Sequence, residues 1–533
     1  MAQGNGNGNG NGGASVIKSE SKKLKRSLTL LPLFGLMYFT VCGGTFGIEP
    51  LVGYSGSGLA LLLIVLTPFI FSLPNVLMVR ELSTMMPAEG GYYHWVKKAF
   101  GPFAGFMAGW NNWVVSWLDV SIYPVLAAYY LSFFIPALRN GTTIGGIDIS
   151  PDLLSWFVAI IIIWGVSYMQ IRGSRLSGIF TSWLGAIMMI PLLLMGLIGI
   201  YNWIVYGGPS LTFLPGGEAI SSSTLTAALS TGLFVVMWNY MGWELPSAAG
   251  DEVVNPRKTY PAAMTLVLIA AILTYTIPTI GGIMGGGGDE GRTIIWGIEA
   301  TTDQGIIADV EPYGYTAEQL QSWGVDPTAS VGWEFPDIGH AVGTKFAGSG
   351  FGILLGSLLT IAAVMSMVGL FTGNSLGGTR VPFALAEDGM FPRSLVKVHS
   401  KYGTPFVAII VTGVVYSVFS LSAFAFLVVA DVFLQMLVIL AEFAAMWVLR
   451  YKMPEKPRDR VPGGWFGMFL VTLGPTVIIL LAIYSQISDA GFSSIGWALA
   501  LMVIGMILYF PFRKYLKPGI PDVDPFEESL DYE

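Results

Sequence analysis

Long apolar segments dominate this chain. Apolar residues gather in blocks of about 18 or more with few or no charges inside them, and a helix of that length crosses the hydrocarbon core of a bilayer. Charged residues make up only 11% of the 533 residues, whereas soluble proteins average about 25%. The sequence therefore predicts an all-α integral membrane protein and excludes a water-soluble globular fold.

The apolar segments number twelve. We predict transmembrane spans at about residues 28–55, 58–79, 103–135, 153–170, 178–206, 224–248, 262–284, 347–372, 405–422, 425–449, 466–488 and 493–512. The Gly/Asn repeat and basic run of residues 1–27 have nothing to bury and predict a disordered cytoplasmic tail. Residues 513–533 form a second, short cytoplasmic tail.

The distribution of positive charge supports this count. With both termini inside, all but Arg139, Arg292 and Lys345 of the 27 Lys and Arg residues fall in cytoplasmic segments. Such an asymmetry follows the positive-inside rule and would be scrambled by a wrong span count. We therefore expect a multi-pass protein of a cell membrane, with the bilayer lipid as a partner.

One outside segment, residues 285–345, is long, hydrophilic and acidic. Its simplest interpretation is a solvated loop, and the alternative is a negative field that concentrates cations at an entrance. The acidic residues are Asp289, Glu290, Glu299, Asp303, Asp309, Glu311, Glu318, Asp326, Glu334 and Asp337.

Two spans carry helix-breaking residues at a matching depth, about 15 residues after each span begins. They are Gly43, Gly44 and Gly47 in the first span, and Asn239, Gly242, Glu244 and Pro246 in the sixth. The two spans correspond if residues 28–206 and 224–450 are two inverted repeats of five spans, followed by two further spans in 466–512. Paired interruptions of this kind indicate the binding site of a transporter.

Unwound backbone is tolerated in a bilayer only where it lines a cavity or is covered by protein. Freed N–H groups can hold a carboxylate, and freed carbonyl groups can hold an ammonium group or a metal cation. The alternative is that these glycines allow close helix packing, as in many membrane bundles. Matched depth in both halves favours the binding site.

Five carboxyl groups fall within or at the ends of the spans, and no Lys or Arg lies inside any span to pair with them. They belong to Glu49, Asp119, Glu244, Asp431 and Glu442. A buried ionised carboxylate costs several kcal/mol unless a charge compensates it. A cationic substrate or a proton can do so. Asp119 and Glu244 lie deepest, whereas Asp431, beside the connection at 421–425, is interpreted as an interface residue.

Aromatic residues accompany the two deepest acids. Trp238, Tyr240 and Trp243 surround Glu244, and Tyr123 follows Asp119. Aromatic faces can hold alkylammonium groups and close over a substrate. Aromatic residues in membrane helices are more often packing or interfacial residues, so they gain significance only beside a break and an acid.

No feature predicts catalysis. Cys42 is the single cysteine, which excludes an internal disulfide framework, and His94, His340 and His399 are too scattered for a metal cage. No nucleophile or phosphate-binding motif is visible. We expect no enzyme activity, no cofactor and no nucleic-acid partner.

Three connections resemble those of the amino acid, polyamine and organocation permease superfamily, and the likeness extends over about residues 28–512. They read ELSTMMPAEGGYYHWVKKAFGP, GDEVVNPRKTYPAA and RVPFALAEDGMFPRSLVKVHSKYGTP. Within the superfamily the chain is most similar to the polyamine uptake transporters and the L-type-like subgroup. That likeness is carried by GGTFGIE at 43–49, Asp119 with YPVL at 123–126, AAVMSMVGLF at 362–371 and AEF at 441–443.

The sixth span also resembles the arginine–agmatine and lysine–cadaverine exchangers, whose gate tryptophan and following acid match Trp238 and Glu244. The resemblance implies a LeuT-like inverted five-plus-five fold with discontinuous first and sixth helices, alternating access and proton-linked movement of an amine. Thr45 stands where the polyamine group commonly has proline. The fifth span lacks the lysine that some permeases use in place of sodium, so both a proton and sodium remain open as the coupling ion.

The sequence thus predicts a secondary active transporter, a symporter or antiporter, for a cationic amine, either a polyamine or a basic amino acid. The alternatives are a neutral amino acid permease of the same fold and a transporter-like sensor. The proton-coupling candidates are Glu244 and Glu49. The substrate-binding candidates are Gly43, Gly44, Thr45, Phe46, Gly47, Asp119, Tyr123, Trp238, Asn239, Tyr240, Trp243, Glu244 and Glu442.

Overall fold

The computed structural model describes residues 30–86, 91–172, 174–244, 255–387, 389–455 and 459–515. The predicted tail at 1–27 lies outside these residues, as does 516–533 of the second tail. Most of the described chain is helical. The one sheet in these ranges pairs β1 (Thr142–Ile144) with β2 (Ile147–Ile149) in antiparallel register.

The first half of the described chain contains α1 (Leu30–Val41), α2 (Glu49–Ser55), α3 (Ser57–Thr67), α4 (Leu73–Met85), α5 (Gly91–Phe100), α6 (Pro102–Leu131), α7 (Ala137–Asn140), α8 (Pro151–Arg172) and α9 (Ser174–Tyr206). A π-helical turn, Pro68–Ser72, joins α3 to α4. A short 3-10 turn follows α9 at Pro215–Gly217.

The second half contains α10 (Ser222–Trp238), α11 (Pro256–Gly282), α12 (Ile307–Val310), α13 (Ala317–Ser322), α14 (Phe335–Ala347), α15 (Ser349–Glu387), α16 (Phe406–Phe419), α17 (Phe424–Lys452), α18 (Gly464–Ala490) and α19 (Ser493–Tyr515). A π-helical turn, Ile283–Gly287, extends α11. Short 3-10 turns occupy Asp289–Ile295, Glu311–Tyr313 and Arg393–Val396.

Nine helical segments in the described ranges are long and apolar enough to cross a membrane. Two shorter apolar helices, α10 and α16, stand where the sixth and ninth spans are predicted. The pair α1 and α2 occupies the first predicted span. The observed helices thus follow the order of the predicted spans, while the exact number of crossings stays a prediction.

The helices differ in how far they are covered by protein. More than 70% of the residues in the apolar stretches of α6 and α17 are buried inside the protein, whereas fewer than 30% are buried in the apolar stretches of α18 and α19. The outer helices expose large apolar side chains such as Ile161, Trp497 and Phe510. A surface this apolar indicates contact with lipid, so α6 and α17 lie at the centre of a bundle whose outer helices face the bilayer.

The acidic segment is a folded structure, and the solvated-loop interpretation is wrong. Residues 288–347, here called the cap, include α12, α13 and α14, and their backbone forms bridges between Trp296 and Trp333 and between Glu299 and Val331. Trp296 and Phe335 are fully buried. A Cβ added to Gly53 would lie 2.2 Å from the carbonyl oxygen of Trp296, so the cap rests directly on α2.

The three basic residues predicted on the outside all pair with acids of the cap. Arg139 contacts Asp337 at 2.7 Å, and Lys345 contacts Asp289 at 2.9 Å. Arg292 contacts Glu290 at 3.1 Å, and this hydrogen bond lowers the pKa of the exposed Glu290 carboxyl. These pairs neutralise part of the negative charge of the cap.

A buried ion pair closes the opposite end of the bundle. Arg450, in the last turn of α17, forms a bidentate pair with Glu81 at the end of α4, and both side chains are almost fully buried. Glu81 Oε2 also accepts a hydrogen bond from Val461 N at 2.8 Å. The sequence analysis places Arg450 only in a cytoplasmic segment, and its burial against Glu81 adds a contact that charge counting does not give.

Candidate functional site

The first predicted span is interrupted where its glycines occur. Helix α1 ends at Val41 and α2 begins at Glu49, so residues 42–48 are outside any helix. Gly44 and Gly47 have φ angles of +92° and +88°, a region that residues with a Cβ rarely adopt. The glycines therefore break the helix and do not merely allow close packing.

Neighbouring helices hold the interrupted backbone in place. The Ser366 hydroxyl of α15 donates a hydrogen bond to the Gly43 carbonyl, and Thr45 Oγ1 donates to the Thr274 carbonyl of α11 at 2.6 Å. Phe46 is 2% exposed and packs edge-on against Tyr130. Thr45 thus anchors the interrupted backbone to α11 through its hydroxyl group.

The sixth predicted span is interrupted as well. Helix α10 ends at Trp238, residues 239–244 are outside any helix, and Gly242 has a φ angle of +90°. The last four residues of the predicted span, 245–248, which include Pro246, lie outside the described residues.

The two interruptions face each other. Asn239 Nδ2, in the second, donates to the carbonyl of Gly47, in the first, at 3.4 Å. A Cβ added to Gly47 would lie 2.8 Å from Cζ3 of Trp238. Backbone from corresponding positions of the two halves therefore meets in the interior of the bundle, as the sequence predicts for a substrate site.

Gly47→Ala tests this contact. We expect a loss of about 1–3 kcal/mol in stability, because the methyl group meets the Trp238 ring and the positive φ disfavours any side chain. Uptake by the variant should fall together with its stability. Thermal denaturation in detergent measures the loss of stability, and an uptake assay measures the loss of activity. Gly165→Ala, where a Cβ meets nothing within 4 Å, is the control, and an equal melting temperature in the two variants would contradict the close contact.

Asp119 lies beside the two breaks, on α6. The indole Nε1 of Trp238 donates to Asp119 Oδ1 at 3.0 Å, and the Tyr123 hydroxyl donates to both carboxylate oxygens at 2.9 and 3.0 Å. Asn374 Nδ2 donates to the Tyr123 hydroxyl at 3.0 Å. Among the described residues no Lys or Arg pairs with Asp119. The carboxylate is therefore positioned by neutral donors alone.

Aromatic rings cover this carboxylate toward the cap. The Trp238 ring lies 6.2 Å from the Tyr123 ring and 5.8 Å, edge-on, from the ring of Phe424, the first residue of α17. This arrangement can shield a cation held at Asp119 from water and offers aromatic faces to it.

One face of α17 carries a row of polar groups. Asp431, Gln435 and Glu442 are spaced by four and seven residues, which places them on the same side of a helix. They are 3%, 5% and 0% exposed. The two acids are eleven residues apart, or about 16 Å along the axis. Asp431 is therefore a buried residue of the interior, which corrects its interpretation as an interface residue.

This row faces the other acids. Gln435 Nε2 donates to Glu244 Oε1 at 2.5 Å. Asp431 interacts electrostatically with Asp119 and Glu244, and Glu442 does so with Glu244. Within the described chain, Asp431 Oδ1 and both carboxylate oxygens of Glu442 have no hydrogen-bond partner. Four carboxyl groups thus lie along one polar strip of the interior, and three of their oxygens make no hydrogen bond within the described residues.

Three of the predicted residues are engaged in the packing. The Tyr240 hydroxyl donates to the Ile64 carbonyl at 2.9 Å, and Trp243 Nε1 donates to the Tyr240 carbonyl at 2.8 Å. Glu49, fully buried, accepts hydrogen bonds from Gly47 N at 2.8 Å and Phe335 N at 3.0 Å. Glu49 thus ties the first break to the cap, and its predicted part in proton coupling stays a prediction.

Sequence reasoning missed Gln435, Asn374 and Glu299. Glu299, in the cap, accepts hydrogen bonds from the Tyr129 hydroxyl at 2.7 Å and from the backbone N–H groups of Phe424 and Ala425 at 2.9 and 3.2 Å. Burial raises the pKa of the Glu299 carboxyl. The spacing along α17 could have revealed Gln435, whereas no sequence pattern points to Asn374 or Glu299.

A bundle of apolar helices in which two broken helices face each other beside buried carboxyl groups defines a membrane transporter of the LeuT-like fold. The crystal structure of MhsT in complex with L-phenylalanine shares this fold, with a TM-score of 0.53 and 13% sequence identity over 87% of this chain and 99% of that one. The sequence model described as amino acid permease matches residues 28–296 and 328–509. The chain therefore belongs to the amino acid permease family.

Curated relatives extend along most of the chain. Polyamine transporter RMV1 of Arabidopsis thaliana is 28% identical over 93% of this chain and 87% of its own length. Polyamine transporter PUT1 of Oryza sativa subsp. japonica is 27% identical over 93% of this chain and 82% of its own length. The serine/threonine exchanger SteT of Bacillus subtilis (strain 168) is 24% identical over 73% of this chain and 75% of its own length.

Proposed function

We propose that this chain is a secondary active transporter that carries a cationic amine across a cell membrane by alternating access. The substrate is a polyamine or a basic amino acid. The observation that carries the proposal is the group of buried carboxyls beside the two facing breaks, which within the described chain includes acids with no basic partner.

Electrostatics favours a cationic substrate. Each buried carboxylate costs several kcal/mol unless a positive charge or a proton compensates it. An ammonium group bound beside Asp119 would form an ion pair with the carboxylate that Trp238 and Tyr123 already orient. Aromatic faces would contact the opposite side of the ammonium group. Binding and charge compensation then occur in the same step.

The row of polar groups along α17 favours a substrate with more than one amine. Asp431 and Glu442 lie about 16 Å apart on one helix face, and Gln435 and Glu244 meet between them. A linear polyamine carries ammonium groups separated by methylene chains and can contact successive acids. Two of the similar proteins are named as polyamine transporters, which agrees with this choice.

A proton is the proposed coupling ion, with sodium as the alternative. Glu244 is the first candidate to carry it, since it lies on the sixth break and contacts Gln435 of α17. In this proposal residues 28–206 and 224–450 are the two inverted repeats, the helices at 466–512 follow them, both termini are cytoplasmic, and the cap is extracellular.

A neutral amino acid is the second candidate substrate. In the first break, the backbone N–H groups of Thr45 and Phe46 make no hydrogen bond within the described residues, so they are free to donate to a substrate carboxylate. The name of SteT, a serine/threonine exchanger, is consistent with this alternative.

Competition in proteoliposomes distinguishes the candidates. We expect uptake of radiolabelled spermidine driven by a proton gradient, and displacement of the label by putrescine or arginine but not by serine at the same concentration. Displacement by serine alone would support the neutral amino acid permease and overturn the proposal. Binding of spermidine without counterflow would instead indicate a sensor.

A further inference from the structure

The cap contains a segment that the family model does not match. The matched stretches end at residue 296 and resume at residue 328, which leaves residues 297–327 of the cap unmatched. This segment has six acidic residues and no Lys or Arg. Five of the six acids lie away from the helix bundle's polar interior, but Glu299 reaches into the bundle itself.

Glu299 joins two central helices at their cap-side ends. One of its oxygens, Oε1, accepts hydrogen bonds from the Tyr129 hydroxyl, near the end of α6, and from Phe424 N, the first residue of α17. The other, Oε2, accepts from Ala425 N at 3.2 Å. A carboxylate at a helix N-terminus satisfies amides that have no partner within the helix and interacts favourably with its dipole.

These contacts lie directly above the proposed binding region. Phe424, held by its amide, places its ring against Trp238, and Trp238 in turn donates to Asp119. One turn further along the same face of α17 is Val428, fully buried between Phe424 and Asp431. The buried side chains of Phe424 and Val428 thus lie between the Glu299 contacts and the region of Asp119 and Asp431.

The cap is a firm support for this contact. Gly297 packs against α2, where an added Cβ would lie 2.4 Å from Pro50 N, and the backbone of Glu299 forms a bridge with Val331. Glu299 thus extends from a rigid structure that also rests on the outer half of the first broken span.

We propose that Glu299 is a positioning residue that acts as a latch: it holds the ends of α6 and α17 together and so keeps the cap side of the substrate path closed. The latch rests on the proposed transport function, because it controls access to the same site. Opening toward the cap side requires α17 to release its first-turn amides from Glu299.

Cysteine accessibility tests the latch without any substrate. In a Cys42→Ser background, Val428→Cys reports whether the path is open to a membrane-impermeant maleimide added on the cap side. We expect Glu299→Ala to raise the labelling rate at least about tenfold, since three hydrogen bonds to a charged acceptor are lost. Tyr129→Phe and Glu299→Gln should give intermediate rates. Glu311→Gln, an exposed acid of the same segment, should match the parent.

Transport kinetics separate a latch from a general structural role. Loss of the latch should lower KM for amine added on the cap side, because the open, binding-competent state becomes more populated. It should also lower kcat, because closure over the bound amine becomes less favourable. Fewer folded molecules would lower the apparent kcat and leave KM unchanged. If Glu299→Ala does not fold, Tyr129→Phe and Glu299→Gln carry the test.

The latch is overturned if labelling in the folded Glu299 and Tyr129 variants equals that in Glu311→Gln. This result is independent of substrate identity, since labelling is read without amine. Displacement of radiolabelled spermidine by serine alone would instead overturn the proposed function and leave the labelling result intact.

Discussion

Asp119→Asn should reduce kcat/KM for spermidine uptake by about 10–100-fold, the effect of losing a charged hydrogen-bonding partner. The expected loss is specific to charge. Asparagine keeps an oxygen that can accept from Trp238 and Tyr123, the two donors that orient the carboxylate, so the local structure should survive. Uptake into proteoliposomes at several amine concentrations gives kcat/KM directly.

Two controls isolate the charge of Asp119. Asp303→Asn removes an exposed carboxylate of the cap and should leave uptake within twofold, roughly the scatter expected of a surface substitution. Asp119→Glu retains the charge and should recover part of the activity. Wild-type uptake in both Asp119→Asn and Glu244→Gln would contradict the charge-pairing account of the site.

Arg450→Met should destabilise the protein by about 3–5 kcal/mol, because it leaves the carboxylate of Glu81 buried without its cation. The pair lies at the end of the bundle opposite the cap, where α4, α17 and the segment before α18 meet. We expect a large fall in the melting temperature in detergent, together with a low yield of monodisperse protein.

A neighbouring ion pair provides the matched control. Arg80 contacts Asp459 at 2.5 Å, but the two side chains are 23% and 33% exposed. An exposed pair contributes about 0–1 kcal/mol, so Arg80→Met should shift the melting temperature much less. Equal shifts in melting temperature for Arg80→Met and Arg450→Met would show that burial does not determine how much the Arg450–Glu81 pair contributes to stability.

The sequence predicted the main architecture because its signals are strong and local. Runs of apolar residues locate the spans, and Gly44 and Gly47 mark a break that the structure places between Val41 and Glu49. Helix ends are less well defined: α15 continues to Glu387, well past the predicted end at residue 372. There the helix leaves the apolar region, so hydropathy gives no signal for its continuation.

The cap could not be predicted, because its core is discontinuous in sequence. Trp296 and Phe335 are buried by residues far apart along the chain, and the intervening acids give the segment the composition of a solvated loop. The burial of Arg450 was missed for a similar reason. Its partner Glu81 is 369 positions away, and a charged residue at the end of a span ordinarily faces water.

The structure brings some of the predicted site residues into contact with one another and directs others toward the surrounding backbone. Asp119, Trp238, Asn239 and Gly47 are brought together by direct contacts. Tyr240 and Trp243 turn toward neighbouring backbone carbonyls, a direction that sequence spacing cannot give across an irregular segment. Which side chains point inward at a break depends on the φ and ψ angles of the unwound backbone.

A structure determined with spermidine present tests the central claim most directly. We expect elongated density beside the two breaks, with one amine against Asp119 and Trp238 and the rest of the spermidine extending along α17 past Gln435. Density confined to the acidic surface of the cap, or an unoccupied interior at saturating spermidine, would contradict it.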